Sequence, residues 1–134
     1  MPLPATLKGA ERIACGERCE FEVDGADGPK QTREGVVWNV SEAGVYLVLP
    51  ADIPEVGTLV RASIWLPGDP RPIRAQLEVA WRNPPSCFSG CGAEAPRFPP
   101  GCGLRFVEIA PPDLLRIKAR VESVLPNRGE RRSR

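Results

Sequence analysis

Val36-Val37-Trp38-Asn39-Val40-Ser41-Glu42-Ala43-Gly44-Val45-Tyr46-Leu47-Val48-Leu49 reads as two strands and the turn that joins them. Val36, Trp38 and Val40 alternate with Val37 and Asn39, and Val45–Leu49 is β-branched, aromatic and aliphatic. Such residues suit a pleated, half-buried surface. The intervening Asn39–Gly44 has turn chemistry: Asn and Ser side chains bond the local backbone, and Gly44 supplies a positive φ. The two strands should form a hairpin. Asn39-Val40-Ser41 is also a glycosylation sequon, which carries meaning only in a secreted chain.

Before the hairpin, Cys19, Phe21 and Val23 alternate with Glu20 and Glu22, a strand with one wet face that ends in the Gly/Asp/Pro turn from Asp24 to Pro29. Beyond the hairpin, Gly57–Leu66 places Val60, Ala62, Ile64 and Leu66 on one face and Arg61 and Ser63 on the other. Arg74–Trp81 turns Ala75, Leu77, Val79 and Trp81 inward and Arg74, Gln76 and Glu78 outward, and it should pair with the preceding strand. Residues 82–102, with Pro84, Pro85, Pro96, Pro99 and Pro100, read as an insertion loop. Gly103–Ile109 then returns to strand character through Leu104, Phe106 and Val107.

Pro111-Pro112-Asp113 is a favourable helix start, with prolines in the first turn and an acid at the positive end of the dipole. Leu114, Ile117, Val121 and Val124 follow at helical spacing, and Pro126 stops the helix. Six short strands on one modest core predict a mostly β fold: a small six-stranded closed antiparallel barrel with a C-terminal α-helix, because closure leaves no exposed edge. The expected organisation is a flexible segment over residues 1–17, the barrel with its helix over 18–125, and a basic disordered tail over 126–134.

Composition narrows function. The 134 residues suit one domain, and 42% hydrophobic with 26% charged residues is ordinary for a globular chain. Eighteen Lys and Arg against 17 Asp and Glu leave a net charge of +1, so no nucleic-acid partner is expected. The local excess at Arg128, Arg131, Arg132 and Arg134 reads as a solvated tail. There is no apolar run long enough for a membrane span, and the opening MPLPATLKGAER lacks the apolar core of a signal peptide, so the expected location is cytoplasmic. Histidine is absent, which removes the Ser/His/Asp and Cys/His nucleophile systems. The reading is a binding module and not an enzyme.

Five cysteines, an odd number, argue against a disulfide framework. Cys15-x-x-x-Cys19 and Cys87-x-x-x-Cys91, with Cys102 further on, are within the loose spacing of a thiolate zinc site. The other reading, which we prefer, makes Cys19 a buried strand residue and the rest free thiols, with no metal and no cofactor.

Asn39-Val40-Ser41-Glu42-Ala43-Gly44 resembles the D/N-x-S-x-x-G motif of the PilZ family, bacterial six-stranded barrels that commonly bind cyclic-di-GMP. The resemblance continues at Lys8-Gly9-Ala10-Glu11-Arg12, which stands where that family carries R-x-x-x-R, and 27 residues separate Arg12 from Asn39. Glu78-Val79-Ala80-Trp81 and Gly101-Cys102-Gly103-Leu104-Arg105-Phe106 are similar to the family's late strands, so the likeness spans roughly residues 8 to 125.

The resemblance implies a cyclic-di-GMP site formed by Lys8, Arg12, Asn39, Ser41 and Gly44. An arginine fork matches the N7 and O6 acceptors of guanine, a role that falls to Arg12, while Asn39 and Ser41 offer small polar groups at the barrel rim. Lys8 departs from the family's first arginine. It keeps the charge but loses the planar fork, so phosphate contact survives better than base recognition. Family members without the arginines act as adaptors, which makes a nucleotide-independent adaptor for an unidentified protein partner the alternative. A zinc-stabilised structural domain, drawn from the cysteine spacing, is the third reading. Arg18 and Arg33 are nearby basic residues that read as solvated strand-end charges.

Overall fold

The computed structural model describes residues 12–24, 31–85 and 99–124. Six segments, five with apolar alternation and one a continuous apolar run, become six strands: β1 (Ile13–Val23), β2 (Arg33–Val40), β3 (Gly44–Val48), β4 (Leu59–Ile64), β5 (Ile73–Asn83) and β6 (Gly101–Ile109). They close in the order β1-β2-β3-β6-β5-β4, with β4 pairing back onto β1 and every pair antiparallel. Both expected hairpins, β2–β3 and β4–β5, are present. The α-helix α1 (Pro111–Val124) follows.

Some boundaries differ from the sequence reading. β1 starts at Ile13 rather than near Arg18, because Gly16 and Glu17 interrupt an apolar alternation that otherwise continues. The segment 82–102 yields Arg82 and Asn83 to β5 and Gly101 and Cys102 to β6, where ladder pairing continues past the last clear alternation. Residues 86–98 of that segment lie outside the described residues.

Side-chain facing departs from strict alternation at defined places. Between Val37 and Asn39 the β2–β3 register shifts, so that Trp38 is one residue more than β3 can match. One inserted residue reverses every later side chain. Val37 and Val40 are therefore both buried, although they are three residues apart, and Trp38 is exposed. The expected apolar face of Val36, Trp38 and Val40 is thus wrong: the first two point to solvent and only Val40 points in. A similar shift between Val79 and Trp81 corrects the inward assignment of Trp81, which stands outside the core cluster that contains Leu77 and Val79.

Cross-strand registers now align whole rows. Ile13, Val40, Val45, Leu104 and Val79 lie opposite one another across β1, β2, β3, β6 and β5, and all five are buried. Each such side chain removed from water contributes about 1.5–3 kcal/mol. The row is one layer of the barrel core, next to Phe21, Val37, Leu47 and Leu77.

α1 joins the same core through Ile117 and Val121. Leu114 is half-buried and Val124 is exposed, so the expected four-residue stripe is narrower in fact. The helix is pinned by Arg116, whose guanidinium donates to Asp69 at 2.7 Å, to the Arg71 carbonyl at 2.7 Å and to Asp113 at 3.0 Å. That contact holds the Asp69 carboxyl below the usual carboxylate range.

β3 and β6 approach through glycine. A Cβ on Gly44 would lie 1.9 Å from the Leu104 carbonyl oxygen, and one on Gly101 would lie 2.0 Å from that of Leu47. Gly44 does not take the positive φ expected of it; among described residues Gly16, Gly57 and Gly68 are the glycines that do. Its requirement is close backbone approach, which any side chain would block.

Stability should register both features. A chain ending at Ala110 should lose the buried Ile117 and Val121, each worth about 1.5–3 kcal/mol, and melt far below the full chain or aggregate; an unchanged melting temperature would show that the helix serves something other than this core. Gly44→Ala forces β3 and β6 apart at backbone level and should cost about 1–3 kcal/mol or more in urea unfolding.

Candidate functional site

The β2 insertion at Trp38 turns Asn39 to the outer wall. Registers place Ala14, Asn39, Tyr46, Gly103 and Trp81 opposite one another across β1, β2, β3, β6 and β5, an outward row beside the buried row of Val40. Arg12 precedes Ala14 by two residues and so shares its face. Its Nη1 donates to Asn39 Oδ1 at 2.5 Å. Two residues separated by 27 positions in sequence, and expected to serve one site, do meet. Burial lowers the Arg12 pKa from its ordinary value, yet arginine keeps its proton at any working pH.

Ser41 is placed differently. It is fully buried, and its Oγ accepts from the Ala43 and Gly44 amides at 3.0 and 3.3 Å, while the Ser41 amide donates to the Gly44 carbonyl at 2.9 Å. Its hydroxyl holds the turn in shape, so Ser41 and Gly44 set where Asn39 stands. Lys8 lies outside the described residues.

Sequence reasoning missed two neighbours, Tyr46 and Trp81. Their rings pack with centroids 5.2 Å apart and 30° between planes. Trp81 lies across Gly103, where a Cβ would come within 2.0 Å of the indole nitrogen. The Tyr46 hydroxyl donates to the Pro99 carbonyl at 2.6 Å and accepts from Asn83 Nδ2 at 3.1 Å. A signal for them does exist in Gly101-Cys102-Gly103: two glycines at alternate positions empty one face of β6 for aromatics from its neighbours. Beside Gly44, Arg105 pairs with Glu78.

Other basic residues are engaged elsewhere. The Arg18 guanidinium lies 4.3 Å from the Trp65 ring centroid, and that of Arg33 lies 5.1 Å from Phe21 and donates to the Ala51 carbonyl. A groove of about 540 Å³ on the outer wall of β1, β4, β5 and β6 is lined by Glu20, Glu22, Arg61, Arg74, Gln76 and Glu108 among others. It is open and of mixed charge and includes neither Arg12 nor Asn39.

No three metal-ligating side chains gather among the described residues. Cys19 and Cys102 are buried in the barrel, and burial pushes their thiols up to about 12 and about 11 respectively; that of Cys15 also rises. Cys87 and Cys91 lie outside the described residues. At neutral pH iodoacetamide should therefore leave Cys19 and Cys102 unmodified in the native chain and reach them only after unfolding, as read by peptide mass spectrometry; rapid native labelling of either would contradict their placement.

Comparisons with known proteins bear on this geometry. The PilZ domain family model matches residues 9–123. No curated protein matches the chain. Among solved structures, that of the Bacillus subtilis inhibitor of motility (MotI/DgrA) is similar over 89% of this chain at 17% identity, with a TM-score of 0.63. This chain spans 51% of that one, and at such identity the likeness speaks for the fold alone. The barrel order, the turn from Asn39 to Gly44 held by a buried serine, and the family match over nearly its whole length together show that this chain belongs to the PilZ domain family.

Proposed function

We propose that this PilZ domain is a cyclic-di-GMP receptor that signals by ordering residues 8–12 against the outer barrel wall. The family is one of binding modules rather than enzymes, and the polar groups gathered here are a guanidinium and an amide, which suit recognition. The observation that carries the reading is the Arg12–Asn39 contact at 2.5 Å. Asn39 grips one nitrogen of the guanidinium and so fixes the plane of the fork before a base arrives. A fork so held can donate two parallel hydrogen bonds to guanine O6 and N7. Lys8 supplies charge for a phosphate, and Ser41 with Gly44 keep the rim rigid beneath the ligand.

Ordering of the leading segment would change the surface that a partner protein reads. Among the described residues no helix is long and apolar enough to cross a membrane. The second reading is an adaptor that binds protein without nucleotide, and Lys8 favours it, since an ammonium cannot reproduce bidentate base recognition.

Calorimetric titration with cyclic-di-GMP separates the two. Binding should occur, and Arg12→Ala should weaken it by about 1–3 kcal/mol, the range for a good bidentate base contact. Lys8→Arg should tighten binding by restoring a planar fork. An absence of heat together with no thermal shift at excess ligand would overturn the receptor reading in favour of the adaptor.

A further inference from the structure

Trp38 is a large apolar side chain left 44% exposed in the middle of a strand. It is the inserted residue of β2, and because Val37 and Val40 on either side both point into the core, Trp38 and Asn39 share the outer wall. Strict alternation would have put them on opposite faces. Across the ladder, the β1 register also shifts between Ala14 and Glu17, so Cys15 and Gly16 together stand opposite Trp38.

Cys15 packs against the core, and Gly16 takes the outer position. Gly16 carries no side chain, and even an added Cβ there would meet nothing within 4 Å. Its φ of +78° is the left-handed region that favours glycine, so the gap is built into the bulge. Ala14 is also small and exposed. The indole is thus flanked on the β1 side by bare backbone, and the Arg12–Asn39 pair stands next to it.

We propose that Trp38 is a stacking platform for a purine base of the bound nucleotide, covering the face of a base while Arg12 takes its edge. The inference rests on the receptor reading above and adds a contact that the Arg12 and Asn39 motif does not contain. Every base has a π face, and an exposed indole with an open approach can receive it without hydrogen-bond complementarity. A guanidinium and an indole on the same wall then supply the two components of base recognition, directional donors and a flat apolar surface.

Wild type, Trp38→Ala and Trp38→Phe are titrated with cyclic-di-GMP by calorimetry, each free protein being melted as a control. Trp38→Ala should weaken binding about tenfold, within the span known for base–aromatic stacking, and Trp38→Phe should retain most of the affinity. Both should melt close to wild type, since the side chain is exposed. The indole N–H resonance that disappears in the Trp38→Phe spectrum should move when ligand is added to wild type, a readout that holds even where the alanine variant folds poorly. Ligand binding by wild type with unchanged affinity in Trp38→Ala, or an unmoved indole resonance at saturation, overturns the platform and leaves the receptor reading intact. Failure of wild type to bind overturns both.

Discussion

Val37 and Val40 must both reach the barrel core, and β2 satisfies them only by carrying one residue more than its partner between them. An odd separation in a regular strand would send one of the two valines into water, at a cost of about 1.5–3 kcal/mol. The insertion at Trp38 resolves this and has a second effect: it sends Asn39 out to the wall that Arg12 shares. Burial of two valines therefore determines where a polar site can form.

Glycine does comparable work on the other side of the site. β3 and β6 meet so closely that Gly44 and Gly101 each face a carbonyl oxygen of the partner strand. Gly103 leaves the space that Trp81 fills, and Trp81 in turn covers Tyr46. A second, small apolar layer thus lies outside the barrel, next to Asn39, and stiffens the strands that present it. Ser41 belongs to the same support: a buried hydroxyl without partners would be costly, and here it is satisfied wholly by its own turn. Rigid backing of this kind lets a few polar side chains hold a fixed geometry.

Electrostatics at the site is local. A net charge of +1 gives the chain no long-range pull on an anion, and Arg18 and Arg33 lie over aromatic rings. What distinguishes Arg12 is its grip on Asn39 rather than its charge. The thiols make the converse point: Cys19 and Cys102 are chemically versatile groups, but the barrel interior keeps them protonated and they behave as small apolar residues.

Residue order alone was enough for six strands, two hairpins and a terminal helix begun at the proline pair, and motif resemblance was enough to name Arg12 and Asn39 as candidates for one site; that the two side chains touch came from the assembled barrel. The elements are matters of local period and residue type, which a single strand or turn expresses without help from its neighbours. Which way Trp38 and Trp81 face, what Gly44 is for and how Ser41 uses its hydroxyl emerged only when the strands were assembled. An inserted residue is defined only against the strand that lacks it, so reading β2 or β5 alone extends a period of two straight through the place where it reverses. Close approach is likewise a property of two strands, and Gly44 is understood only once the Leu104 carbonyl stands in front of it.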